Sequence, residues 1–123
     1  MLGPMPAYGF YARNSRAITL NNIRLEVVTP DLRPALILDH VTDAAISGLS
    51  VAGNTGAESA LRLIDTQQVL ITAPRLLEPA KTYLQLEGSN SSGIIIDGGD
   101  LTKAAETLAV TNGANKSAVK IRS

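Results

Sequence analysis

The stretch Leu61-Arg62-Leu63-Ile64-Asp65-Thr66-Gln67-Gln68-Val69-Leu70-Ile71 decides the fold. It holds two apolar–x–apolar triplets, Leu61/Leu63 and Val69/Ile71, separated by a short polar run. Alternation with period two marks a strand with one buried face. Each triplet has copies at a step of about 25 residues in both directions along the chain. The Val69/Ile71 pair matches Ile18/Leu20, Ala44/Ile46, Ile94/Ile96 and Val119/Ile121. The Leu61/Leu63 pair matches Phe10/Ala12, Leu36/Leu38, Leu84/Leu86 and Leu108/Val110. A shorter ladder runs through Ile23/Leu25, Leu49/Val51, Pro74/Leu76 and Gly99/Leu101.

Three ladders with one step predict a coil. Short strands joined by tight corners make one turn, and the next turn sits one strand spacing away, roughly 4.8 Å. Matching residues then stack, and each inward aliphatic side chain stabilises by roughly 1.5–3 kcal/mol when fully buried. No turn is stable alone, so the array is cooperative. The expectation is an all-β chain, a single-stranded parallel β-helix of about five coils with up to three strands each, forming one domain over residues 1–123.

The corners fit. Asn14-Ser15, Asn21-Asn22, Ser47-Gly48, Gly53-Asn54 and Gly98-Gly99-Asp100 separate the strands, and Gly and Asn tolerate positive φ. Residues 88–93, Gly-Ser-Asn-Ser-Ser-Gly, are a corner with a two-residue insertion. They do not lead from a buried strand into a helix, so they are not a phosphate loop. Residues 29–34 read as a longer projecting loop between the first two coils. Residues 102–106 are expected to form the one short helical turn, capped by Asp100.

Composition agrees. Aromatic residues are 3% of the chain while apolar residues reach 45%, so the core is aliphatic. Stacked thin layers do not need the aromatic anchors of an ordinary globule. The 11 basic and 11 acidic residues balance and form no block, which argues against a nucleic-acid partner. With no cysteine there is neither a disulfide nor a thiolate metal site. No apolar run approaches the roughly 18 residues of a membrane span, so no membrane partner is expected. Residues 1–6 have neither a basic region nor an apolar core of signal-peptide type.

Residues 1–14, Met-Leu-Gly-Pro-Met-Pro-Ala-Tyr-Gly-Phe-Tyr-Ala-Arg-Asn, resemble a stretch late in bacterial members of glycoside hydrolase family 28. So do Ile18-Thr19-Leu20-Asn21-Asn22-Ile23, Pro30-Asp31-Leu32-Arg33-Pro34-Ala35-Leu36, and the tail from Asp97 to Val119. The resemblance covers essentially the whole chain and implies a right-handed helix of the pectin-lyase-like kind. It further implies a protein acting on pectic polysaccharides, usually secreted or periplasmic, with an acidic plant polysaccharide as partner and no cofactor.

The catalytic part of that resemblance is missing. The family's Asn-Thr-Asp, Asp-Asp, Gly-His-Gly and Arg-Ile-Lys motifs do not occur here. His40 is followed by Val41, and Val119-Lys120-Ile121-Arg122 has its basic residues in the wrong order. The chain then reads as coils that follow an active site, part of a longer parent or of a truncated gene, and inactive alone. The alternative is an independent solenoid module that binds carbohydrate or assembles with itself.

Inverting glycoside hydrolysis needs two carboxylates roughly 6.5–9.5 Å apart with a water between them. Asn14, His40 and Asp65 share one rung position, so His40 and Asp65 are the weak catalytic candidates. The rival reading, a hydrogen bond at the edge of a turn, is preferred because a second carboxylate is missing. Tyr8, Tyr11 and Arg13 are candidates for contacting a sugar, and the tyrosines could equally cover the first coil. Arg16, Arg24 and Arg33 could add attraction for an acidic glycan. Asp31, Asp39 and Asp43 lie near the second coil without metal-loop spacing, so no metal site is expected. Residues 1–7 are expected to cap the stack or to be the remnant of a preceding coil. An uncovered first coil exposes strand edges, so self-association through that end is expected.

Overall fold

In a computed structural model, residues 7–27, 29 and 31–122 are described. The first turn contributes β1 (Phe10–Arg13), β2 (Arg16–Asn21) and β3 (Arg24–Leu25). The second gives β4 (Leu36–Asp39), β5 (Thr42–Ser47) and β6 (Ser50–Val51). The third gives β7 (Leu61–Ile64), β8 (Gln67–Thr72) and β9 (Arg75–Leu76). Then follow β10 (Ala80–Glu87), β11 (Ser92–Asp97), β12 (Ala104–Thr111) and β13 (Val119–Arg122).

The strands form three parallel sheets, ordered β1-β4-β7-β10-β12, β2-β5-β8-β11-β13 and β3-β6-β9. The first two are called here the A and B sheets. This is a β-solenoid. Both long ladders read from the sequence are the observed registers. Phe10 lies on Leu36, Leu36 on Leu61, Leu61 on Leu84 and Leu84 on Leu108. Ile18, Ala44, Val69, Ile94 and Val119 stack likewise in the B sheet. The third ladder holds as Leu25, Val51 and Leu76, and a single bridge from Arg75 to Asp100 ends it.

Two expectations are corrected. Five rungs bound about four turns, not five coils, because the first and last rungs each close only one side of a turn. Residues 102–106 are not helical. Asp100 accepts from both the amide (3.2 Å) and the hydroxyl (2.7 Å) of Thr102, making a tight turn, and β12 starts at Ala104. The bond expected to cap a helix is present, but pairing with β10 takes the chain into the sheet. Helical character appears instead at Lys116–Ala118, one 3₁₀ turn capped by the Asn115 side chain. Of the cap expected over residues 1–7, only Ala7, which is buried, falls within the described residues.

The corners explain how so short a repeat closes. Asn14, His40, Asp65, Gly88 and Asn112 follow the successive A strands, and all have φ between 43° and 93°. A second column, Ala17, Asp43, Gln68 and Gly93, lies one residue into the B strands; a third, Asn22, Gly48, Ala73 and Gly98, follows them. Each is left-handed, which turns the chain sharply within one residue. The expected insertion is also seen. Ile64 and Glu87 are paired, as are Gln67 and Ser92, so the fourth corner is two residues longer than the third. Buried hydroxyls tie these corners together: Thr66 donates to Leu38 or Ile64 carbonyls, and Ser91 Oγ donates to the Glu87 carbonyl at 2.8 Å.

Candidate functional site

Alternation along the A strands puts Phe10, Ala12 and their ladder partners against the core. It turns Tyr11, Arg13, Asp39, Arg62, Gln85 and Glu87 toward the other face. On this face, and at the corner beside it, the charged side chains converge.

His40 sits between two carboxylates. Its Nδ1 is 2.5 Å from Asp39 Oδ1, and its Nε2 is 3.6 Å from Asp65 Oδ2. The first contact comes from chain neighbours and the second crosses to the next turn, as the shared rung position requires. Either neutral tautomer donates to one carboxylate only, whereas the protonated ring has an N–H for each. Asp65 also accepts weakly from the Asn90 amide at 3.4 Å. Arg13 reaches Asp39 at 3.8 Å from the preceding turn. The sequence therefore placed His40 and Asp65 together correctly. Their arrangement is a chain of contacts along the corner with the imidazole between the carboxylates, not two carboxylates facing each other across a water.

A second cluster was not foreseen. Arg62 grips Glu87 with two donors, Nε to Oε2 and Nη2 to Oε1, the latter at 2.9 Å. Asn112 Nδ2 donates to Glu87 Oε1 at 3.1 Å, and Gln85 Nε2 lies 3.4 Å from Oε2. Glu87 is buried, so its charge depends on these partners. The hydrogen bond to Glu87 pushes the Arg62 guanidinium above its ordinary range. The ladder step alone pairs Arg62 with Gln85, not Glu87. The observed pair is diagonal, one turn up and two residues along.

Tyr8 is diverted from the surface. Its hydroxyl donates toward the Ala52 carbonyl (3.0 Å) and the Leu25 carbonyl (3.3 Å), which fastens the entry of the first turn to the third sheet. Burial pushes its pKa up to about 12. Beside it a small cavity, with room for about one water, is lined by Asp31, Arg33, Asn54 and Ser59. Asp31 and Arg33 are ion-paired at 2.7 Å, and the Arg33 side chain holds the Asp31 carboxyl down at about 2. The Ser59 hydroxyl is buried without a hydrogen-bond partner, as is that of Tyr83.

Tyr11 and Arg13 share the outer face of β1, with Arg13 largely exposed. Arg24 is spent on Glu26 at 2.7 Å. Among the described residues, no group of three or more His, Asp or Glu side chains is placed to hold a metal ion. Nor is any helix among them long and apolar enough to cross a membrane.

No protein-family model matches the chain, and no curated protein or solved structure matches it either.

Proposed function

We propose that this chain is a non-hydrolytic stretch of β-solenoid of the sort that follows the catalytic coils in pectin-degrading glycoside hydrolases. Its work is to extend and stabilise the coil stack. The sequence resemblance supplies the family, and one observation supports the absence of chemistry. On the polar face each carboxylate near the His40 corner is already engaged: Glu87 by Arg62 and Asn112, Asp39 and Asp65 by His40. No pair there is left to hold and polarise a water for inversion at a sugar carbon.

The test is incubation of the chain with polygalacturonate and rhamnogalacturonan, reading reducing ends. None are expected. Release that disappears in His40→Ala would overturn the reading and make the Asp39–His40–Asp65 chain an acid/base system.

A second reading is favoured by β1. Tyr11 and Arg13 lie side by side on one outer face, a ring beside an exposed cation, as an acidic sugar requires. In this reading the module binds an acidic polysaccharide without cutting it. Retardation in a polygalacturonate affinity gel, lost in Arg13→Ala and Tyr11→Ala, would favour it.

A further inference from the structure

Two corners carry the chain from the third sheet to the A sheet by long paths, one from Leu25 to Leu36 and one from Val51 to Leu61; the next, from Leu76 to Ala80, is short. The two long corners lie against each other. Asn54 Nδ2 donates to the Asp31 carbonyl at 3.1 Å, and the Tyr8 hydroxyl reaches the carbonyls of Leu25 and Ala52. The small cavity beside Tyr8 lies between these corners, with Asp31 and Arg33 lining it from the first and Asn54 and Ser59 from the second.

Ser59 is 3% exposed, and its hydroxyl meets no protein partner among the described residues. A buried hydroxyl without a hydrogen bond is costly. Thr66 and Ser91, buried hydroxyls of another corner, each donate to a carbonyl. Ser59 has no such outlet and lines the cavity with one donor and two acceptor positions unused. Asn54 beside it is half used. Its Oδ1 accepts from the Gly56 amide at 2.9 Å and its Nδ2 gives one of two protons to Asp31, which leaves one acceptor and one donor position.

Charge and size choose what these positions can hold. Both oxygens of the Asp31 carboxylate are taken by Arg33, through its backbone amide, Nε and Nη2. The acid is neutralised where it stands, so an ion of either sign finds no uncompensated charge there. The cavity has room for about one water. A neutral molecule of that size that both donates and accepts is water itself.

We propose that this cavity is a binding site for one ordered water, held by Ser59 Oγ and the Asn54 side chain. The water gives Ser59 the partner that the protein does not supply, and it staples the two long corners together next to the direct bond from Asn54 to Asp31. In this way it helps fix the first of these loops, whose Leu32 stands 68% exposed. The proposal is independent of whether the chain touches a glycan.

A high-resolution crystal structure and one substitution test it. The crystal should show an ordered water within hydrogen-bond distance of both Ser59 Oγ and the Asn54 side chain. Ser59→Ala should raise the unfolding equilibrium constant by about fivefold in urea titration, since a water-mediated bond is nearly as good as a direct one. A hydroxyl that is bare in solution predicts the opposite sign, because removing it relieves an unsatisfied group. Tyr83→Phe is the internal control, as the Tyr83 hydroxyl is also unpartnered but does not line this cavity. A dry cavity in the crystal would overturn the proposal. So would a peak at the short contact distances of a metal ion, or a Ser59→Ala variant as stable as the parent or more so.

Discussion

The middle turns and the end turns carry the same side chains in the same columns, yet they live in different solvents. Leu63 and Val110 belong to one ladder, as do Leu61 and Leu108, but only the first of each pair is sealed on both sides. A ladder read from sequence gives the direction of a side chain, while position in the stack gives its worth. Leu63→Ala should therefore cost about 2–5 kcal/mol, the range for an aliphatic side chain removed from a sealed core. Leu108→Ala should cost about 1 kcal/mol, because half of its burial is missing to begin with. Urea unfolding of the two variants measures the difference. Equal losses would mean that the last rung is covered in solution.

Next in size is Glu87, the buried charge of the middle turns. Removing one partner of a fully buried ion pair costs about 3–5 kcal/mol. The Arg62 side chain keeps 36% of its surface in water, so it can recover some solvation when Glu87 leaves. Glu87→Ala should then destabilise by about 2 kcal/mol. Asp39→Ala, whose partners His40 and Arg13 are mostly exposed, should cost well under 1 kcal/mol. If the two losses are alike, the Arg62–Glu87 clasp is no more important than the corner chain.

The fold was legible because every column of the core repeats one chemistry. Leu follows Leu at 36, 61, 84 and 108, and nothing but stacking asks for that. The His40–Asp65 contact was legible for the same reason, since both fill one corner position. The Arg62–Glu87 pair was hidden because it does not run along a column. It needs the diagonal reach of a long guanidinium, and rung alignment does not reveal where long side chains end. Asp100 misled for a different reason. A carboxylate accepting an amide two residues on serves a helix start and a tight turn alike, and only the edge of β10 decides between them. The count of turns failed at the ends, where a rung and a full turn are different things.

The tyrosines divide along the same line. Tyr83, in the middle, is fully buried and its hydroxyl has no partner; Tyr8, near the end, has two carbonyls within reach. Tyr83→Phe removes an unsatisfied polar group and should leave stability unchanged or raise it by up to about 1 kcal/mol. Tyr8→Phe loses a satisfied bond and should cost about 1 kcal/mol. A clear loss in Tyr83→Phe would reveal a partner for its hydroxyl, such as a trapped water. Alkali adds a second readout. Burial raises both phenols, so the neutral form is favoured by folding, and the stability this represents is intact below about pH 10. For Tyr8 it is lost as pH rises from about 10 through about 12. Tyr8→Phe should therefore flatten the alkaline fall in melting temperature over that window. An unchanged slope would mean that Tyr8 ionises as freely in the folded chain as in the unfolded one.

The smallest effect separates two corners of one column. Gly48 and Gly98 take left-handed φ without strain, while Ala73 stands between them at φ 52° with a side chain that contributes no hydrogen bond. A non-glycine residue there costs about 1–2 kcal/mol, and replacing alanine by glycine returns roughly 0.5–1 kcal/mol of that to unfolded-state entropy. Ala73→Gly should thus stabilise by about 0.5 kcal/mol, a small rise in melting temperature. Ala73 is exposed, so no packing is lost to mask it. The opposite substitution, Gly48→Ala, should destabilise by more, because its added methyl would also approach the Asn22 side chain to 2.6 Å. If Ala73→Gly instead weakens the chain, the alanine is stiffening the corner, and the strain in that column is smaller than its dihedral angle implies.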